Sequence, residues 1–176
     1  MKKKIVILLL SLLVFSVENI YSQEDSLKYP FWLNASIGGY PEYIGAGVSF
    51  NKALKDFSYQ VSLNTGAKLD EFLSKYRYVT TGVAGLGITH VKPSIIASVY
   101  GGPSVSYGEA GRNNYFWGAG LGLNAQIYFM PLYKLFPGLG IGLEFYYNYN
   151  FMQTRANDYR HVYLLRLGGM ITNLHD

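Results

Sequence analysis

Three histidines, one buried-looking acid–base pair and a glycine run are the residues of this 176-residue chain whose types suggest chemistry. His90 is followed two positions on by Lys92, His161 by Tyr163, and His175 lies three residues after Thr172. None has a metal-ligand spacing, and with no cysteine in the chain no thiolate site or disulfide exists. Serine and glutamate are present, but no local motif joins them to a histidine, so no catalytic residue, cofactor site or metal site is assigned. Gly118 to Gly122 reads GAGLG, which resembles a dinucleotide fingerprint only in letters. That fingerprint must end a strand and open a helix, and here the apolar alternation runs straight through it. Asn34-Ala35-Ser36 matches a glycosylation sequon inside a strand-like segment and is taken as chance.

The elements that would position these residues follow a period of two. In Trp117–Phe129 the odd positions Trp117, Ala119, Leu121, Leu123, Ala125, Ile127 and Phe129 are apolar. The even ones are Gly118, Gly120, Gly122, Asn124, Gln126 and Tyr128. Alternation of this length exceeds an ordinary soluble strand and matches the roughly 9–11 residues of a membrane-crossing one. The rhythm recurs, which predicts eight strands at 31–39, 43–52, 57–66, 77–90, 94–107, 115–130, 138–150 and 159–172. The expected fold is all-β, an eight-stranded antiparallel up-and-down transmembrane β-barrel. With both termini on the periplasmic side, the outer loops are 40–42, 67–76, 108–114 and 151–158, and the turns are 53–56, 91–93 and 131–137.

An eight-stranded barrel has little interior room. The bulky apolar set overfills it, whereas the Gly, Ser, Asn and Gln set fits. The polar face is therefore expected inside and the apolar face on lipid. A soluble, lipocalin-like carrier is the alternative with the faces exchanged. Aromatic residues gather at the strand ends as interfacial girdles do: Tyr40, Tyr43, Tyr76, Tyr78, Tyr107, Tyr115, Phe116 and Trp117 at one end, and Phe31, Trp32, Phe129, Tyr133 and Phe136 at the other. Hairpin geometry places Gly122 opposite both Tyr100 and Tyr146, where a glycine makes room for a cross-strand ring. It places Glu144 opposite Arg166, both inward, which predicts a luminal ion pair. Asn124 and Gln126 are expected in the same luminal hydrogen-bond network.

The N-terminus reads differently. Lys2, Lys3 and Lys4 precede an apolar run, Ile5 to Val17, too short to span a bilayer. Residues 1–22 are expected to be a secretory signal peptide cleaved between Ser22 and Gln23, leaving 23–176 as the barrel domain. Without residues 1–22, which hold three Lys and Glu18, the chain has 12 Lys and Arg against 10 Asp and Glu, and the net charge falls from +4 to +2. No basic run remains in that portion, so nucleic acid is not an expected partner. With 17 Tyr, 10 Phe and 20 Gly in an exported, cysteine-free chain, composition favours a barrel over a helical enzyme.

The stretch GLGLNAQIYFMPLYKLFPGLGIGLEFYYNYN, residues 120–150, resembles the C-terminal half of small outer-membrane β-barrel proteins of Bacteroidetes. The shared features are a Gly-rich strand, an alternating AQ-aromatic-Pro run, a turn, then GLGIGL and asparagines. Strand count and size are similar to the OmpA/OmpX type. The resemblance implies fold and an outer-membrane location; it brings no activity with it. It also implies outer-membrane lipid, lipopolysaccharide and the barrel-assembly machinery as partners. One departure is the ending GGMITNLHD, which lacks the terminal aromatic common in such barrels.

The expected role is structural or in surface interaction, through loops 67–76, 108–114 and 151–158. Arg112, Arg155 and Arg160 near the outer loops are candidates for lipopolysaccharide phosphates. A narrow pore is one alternative. A lipid A-modifying enzyme is another, but the His-x-Ser pair of the deacylase type has no counterpart at His90 or His161.

Overall fold

A computed structural model describes residues 30–40, 42–69, 77–92, 94–110, 113–131, 138–154 and 159–173. The expected signal peptide, Tyr76, Arg112, Tyr133, Phe136, Arg155 and His175 lie outside the described residues. The described chain forms strands β1 (Phe31–Gly39), β2 (Tyr43–Ala53), β3 (Ser58–Lys68), β4 (Tyr78–Lys92), β5 (Ile95–Glu109), β6 (Tyr115–Phe129), β7 (Leu139–Gln153) and β8 (His161–Thr172). They pair antiparallel in chain order, and β8 returns to β1, closing an eight-stranded barrel. The seam runs from Trp32↔Thr172 to Gly38↔Arg166. It is fastened where the Phe31 N–H donates to Asn173 Oδ1 at 2.8 Å and the Thr172 hydroxyl donates to the Phe31 carbonyl at 2.8 Å.

β4 to β7 each run 15 residues; β4, β5 and β7 are longer than the alternation alone suggested, because pairing continues into the ends of the connections, whereas β6 stops one residue earlier. The β5–β6 ladder, for example, persists to Glu109↔Tyr115.

The faces sort by chemistry. Leu33, Ile37, Val61, Leu121, Leu143 and Leu167 point outward and are exposed, whereas Asn34, Asn51, Gln60, Asn64, Gln126 and Asn148 point inward and are buried. This is the opposite of a soluble barrel, and it follows from interior volume. Eight strands leave space that small and polar side chains fill, and Leu or Phe on every inward position would not fit.

The interior has three levels. At the end that carries the chain termini, Trp32, Ile96, Tyr100, Tyr128, Met130 and Met170 pack together. Toward the far end, Tyr43, Val79, Phe116, Tyr146, Tyr159 and Leu164 form a second apolar cluster. Between them lies a belt of polar side chains.

Three residues expected in the aromatic girdles are part of this filling instead. Trp32, Tyr43 and Phe116 are at most 3% exposed and face the lumen. The reason is parity: each shares its strand's inward period, and a residue cannot leave its face without a one-residue slip of the whole strand. Of the rings expected at the far end, Tyr40, Tyr78, Tyr107, Tyr115 and Trp117 remain outside the lumen; Tyr107 stacks on Tyr115 and packs against Trp117.

Candidate functional site

The polar belt is built around one carboxylate. Glu144 of β7 and Arg166 of β8 are register partners on adjacent strands. They meet in the lumen at 2.9 Å, Arg166 Nη2 to Glu144 Oε2, with the Arg166 side chain 1% and the Glu144 side chain 3% exposed. Two charges taken this far from water require close mutual contact and further hydrogen bonds. Both conditions are met. Ser36 donates to Glu144 Oε2 at 2.6 Å, Tyr128 donates to Oε1 at 2.7 Å, and the Asn34 amide also donates to Oε1. Arg166 Nη1 donates to Asn64 Oδ1 at 2.7 Å, and its guanidinium lies 5.3 Å from the centre of the Tyr146 ring.

Two glycines leave the space this arrangement fills. A Cβ on Gly47 would lie 2.7 Å from both the guanidinium carbon of Arg166 and Oδ1 of Asn64. A Cβ on Gly168 would lie 2.5 Å from the Tyr128 hydroxyl and 3.0 Å from the Ser36 Cβ. The ion pair therefore depends on absent side chains as much as on present ones.

From Glu144 the network spreads along β1, β2, β3 and β6. The Asn34 amide donates also to Gln126 Oε1 at 2.8 Å, and its carbonyl accepts from the Ser49 hydroxyl. The Gln60 amide donates to Asn51 Oδ1 at 2.8 Å, and Gln126 donates to the same oxygen at 3.3 Å. A separate ladder nearer the far end links Thr81, Ser106, Asn150 and Asn148. Each residue reaches its partner because successive inward positions are two apart in sequence and one step apart along the barrel.

The structure thus brings Glu144, Arg166 and Gln126 into one network and sets Tyr146 against the guanidinium. Asn124 is a correction. It is buried in the lumen, but its carboxamide makes no hydrogen bond among the described residues. Its register partners are the two rings Tyr100 and Tyr146. The Tyr100 hydroxyl turns away to Thr89 at 3.2 Å.

Gly122 is a second correction. It faces Gly102 on β5 and Asn148 on β7, not Tyr100 and Tyr146. Each of those hairpins is centred one residue later than expected, which moves the pairs around Gly122 by two and preserves their faces; a bulge beyond Gly120 shifts Ala119 and Gly118 by one residue more on β7. The space beside Gly122 is taken by Val83 of β4, two strands away, whose two methyls would lie 2.8 Å from a Cβ there. The glycine opposite Tyr100 is Gly87 of β4.

Reading residues one strand at a time missed Asn34, Ser36, Tyr128 and Asn64, which hold the ion pair. The signal was available: all four occupy inward positions, and the tripeptide Asn34-Ala35-Ser36 supplies two donors to Glu144. His90 on β4 and His161 on β8 both point outward, far apart in strand order. His161 is hydrogen-bonded to the Tyr147 hydroxyl at 3.1 Å and lies among Tyr147, Tyr149 and Tyr163. Neither histidine is hydrogen-bonded to a serine among the described residues. Arg160 is exposed at the far mouth, just before β8.

No family model and no curated protein matches the chain. Solved structures do. Neisserial surface protein A aligns with a TM-score of 0.61 at 12% identity, over 81% of this chain and 96% of its own. A major outer-membrane protein of Thermus thermophilus gives 0.54 at 12% identity, over 82% and 98%. Ail of Yersinia pestis, in complex with the heparin analogue sucrose octasulfate, gives 0.53 at 11% identity, over 82% and 97%. The fold is that of the small outer-membrane barrels.

Proposed function

We propose that the chain is an integral outer-membrane barrel with a closed lumen, acting structurally or through its far-end surface rather than by catalysis. The observation that carries this is the layered interior, where a carboxylate with four donors sits between two packed aromatic and aliphatic clusters. The Glu144 carboxylate, engaged by four donors, has no lone pair left over for a substrate. The apolar outer wall supports membrane insertion, and the basic, apolar N-terminus supports export with cleavage after Ser22. The likeness of residues 120–150 to Bacteroidetes barrels supports an origin in that group, with the barrel-assembly machinery as insertion partner.

The test is conductance. Folded protein inserted into planar bilayers is expected to give no steady channels; steady openings would establish the narrow-pore alternative instead. Fractionation of the producing cell is expected to recover the protein with outer membranes, and recovery in the soluble periplasm would overturn the location.

A second reading concerns the far-end surface. Arg160 is exposed there; in the sequence Arg155 falls in the same β7–β8 connection and Arg112 in the β5–β6 connection. Guanidinium groups bind phosphate and sulfate through paired hydrogen bonds. Ail, a barrel of the same fold, has been crystallised with a sulfated sugar. These support lipopolysaccharide phosphate as the ligand of that rim. Replacing the three arginines with glutamine is expected to weaken binding of purified lipopolysaccharide; unchanged binding would remove them from the role.

A further inference from the structure

The outer wall is not uniformly convex. A trough of about 490 Å³ crosses it from β4 to β8, within the size range of small-molecule sites. Its geometry follows from the register. One bank is the outward row that includes Ile88, Val99 and Phe145, and the other includes Ile127 and Leu143. The floor is the backbone of the row between them, Thr89, Ser98, Gln126 and Glu144. Each bank is lowered at one place by a small residue, Ala125 in the first and Ala97 in the second. Five strands at about 4.8 Å spacing make the trough about 19 Å long. One leaflet of a bilayer core is about 15 Å deep.

The β4 end differs chemically from the rest. His90 lines the trough there, paired across to Ala97, and Lys92 is the next outward residue on the same strand; both are exposed. Lys92 closes β4 at the end that carries the chain termini, the level at which lipid headgroups begin. The trough therefore starts beside a cation at the interface and, crossing the tilted strands at right angles, descends into the hydrocarbon.

We propose that this trough holds one acyl chain of an anionic glycerophospholipid, with the lipid phosphate at Lys92 and His90 beside it. The proposal rests on the membrane-barrel reading and goes beyond it, because general lipid solvation requires neither a trough nor a cation at its mouth. Lysine at such a level extends its ammonium to the headgroups while its stem stays on apolar surface. A chain lying in the trough gains contacts on three sides instead of one.

The experiment is native mass spectrometry of the folded barrel released from bilayers of phosphatidylethanolamine and phosphatidylglycerol. The expected result is a species retaining one lipid, enriched in phosphatidylglycerol over the bulk ratio. Ala97→Leu/Ala125→Leu fills the trough from the lipid side and is expected to lose that species. Lys92→Gln is expected to keep a one-lipid species but abolish the enrichment. Heat-modified gel mobility checks that both variants fold. Equal lipid retention by the filled variant and the natural chain would overturn the proposal. So would a dimer that disappears on filling, which would make a second copy the occupant. Failure of the membrane reading is separately visible, because the protein would not co-float with the bilayers at all.

Discussion

The Glu144–Arg166 pair allows a prediction in which the two halves differ. Glu144 has four donors: Arg166, Ser36, Tyr128 and Asn34. Arg166→Met removes one and leaves three, so the buried carboxylate stays largely satisfied. Removing one member of a buried pair costs about 3–5 kcal/mol, and Arg166→Met should fall near the lower figure, about 3 kcal/mol. Glu144→Leu is different. Arg166 keeps only the Asn64 oxygen and the Tyr146 face, and Ser36 and Tyr128 lose their acceptor. That variant should fall near the upper figure, about 5 kcal/mol. In the double variant no charge remains, so the cost should be close to that of Glu144→Leu alone rather than the sum, a coupling of about 3 kcal/mol. Urea unfolding of vesicle-inserted protein measures this. Trp32, enclosed in the lumen, and Trp117, on the outer wall, report by fluorescence. Strict additivity, or Arg166→Met costing more than Glu144→Leu, would show that the carboxylate is not the centre of the belt.

Gly122→Ala is expected to cost about 1–3 kcal/mol, because the new methyl meets both Val83 methyls. Val83→Ala in the same chain should recover most of that, and a double-mutant cycle without coupling would refute the contact. Gly168→Ala should be damaging for the same reason, since the methyl displaces the Tyr128 hydroxyl from Glu144. Gly101→Ala, on the outer wall with its nearest neighbours at 3.9 Å, should change stability by less than about 0.5 kcal/mol. Equal unfolding midpoints for the two variants would mean that luminal crowding does not explain these glycines.

The period-two alternation by itself determined the number of strands, their order of pairing and which face turned inward. This is because a side chain's face depends only on parity along its own strand. The Glu144–Arg166 facing was likewise legible, since the hairpin centred near Arg155 fixes that register. What parity cannot supply is the exact centre of the β5–β6 and β6–β7 hairpins. A displacement of one residue there leaves every face unchanged and yet exchanges Gly122's neighbours. Nor can it supply contacts across the lumen. Arg166 against Gly47, and Asn34 with Ser36 on Glu144, join residues on strands that closure brings within reach. Those contacts exist only when β8 meets β1, because an open sheet holds the same residues on one face with nothing opposite. Trp32, Tyr43 and Phe116 carry the same lesson. As letters at strand ends they read as interfacial anchors, and only a closed interior with room at its two ends made them its filling.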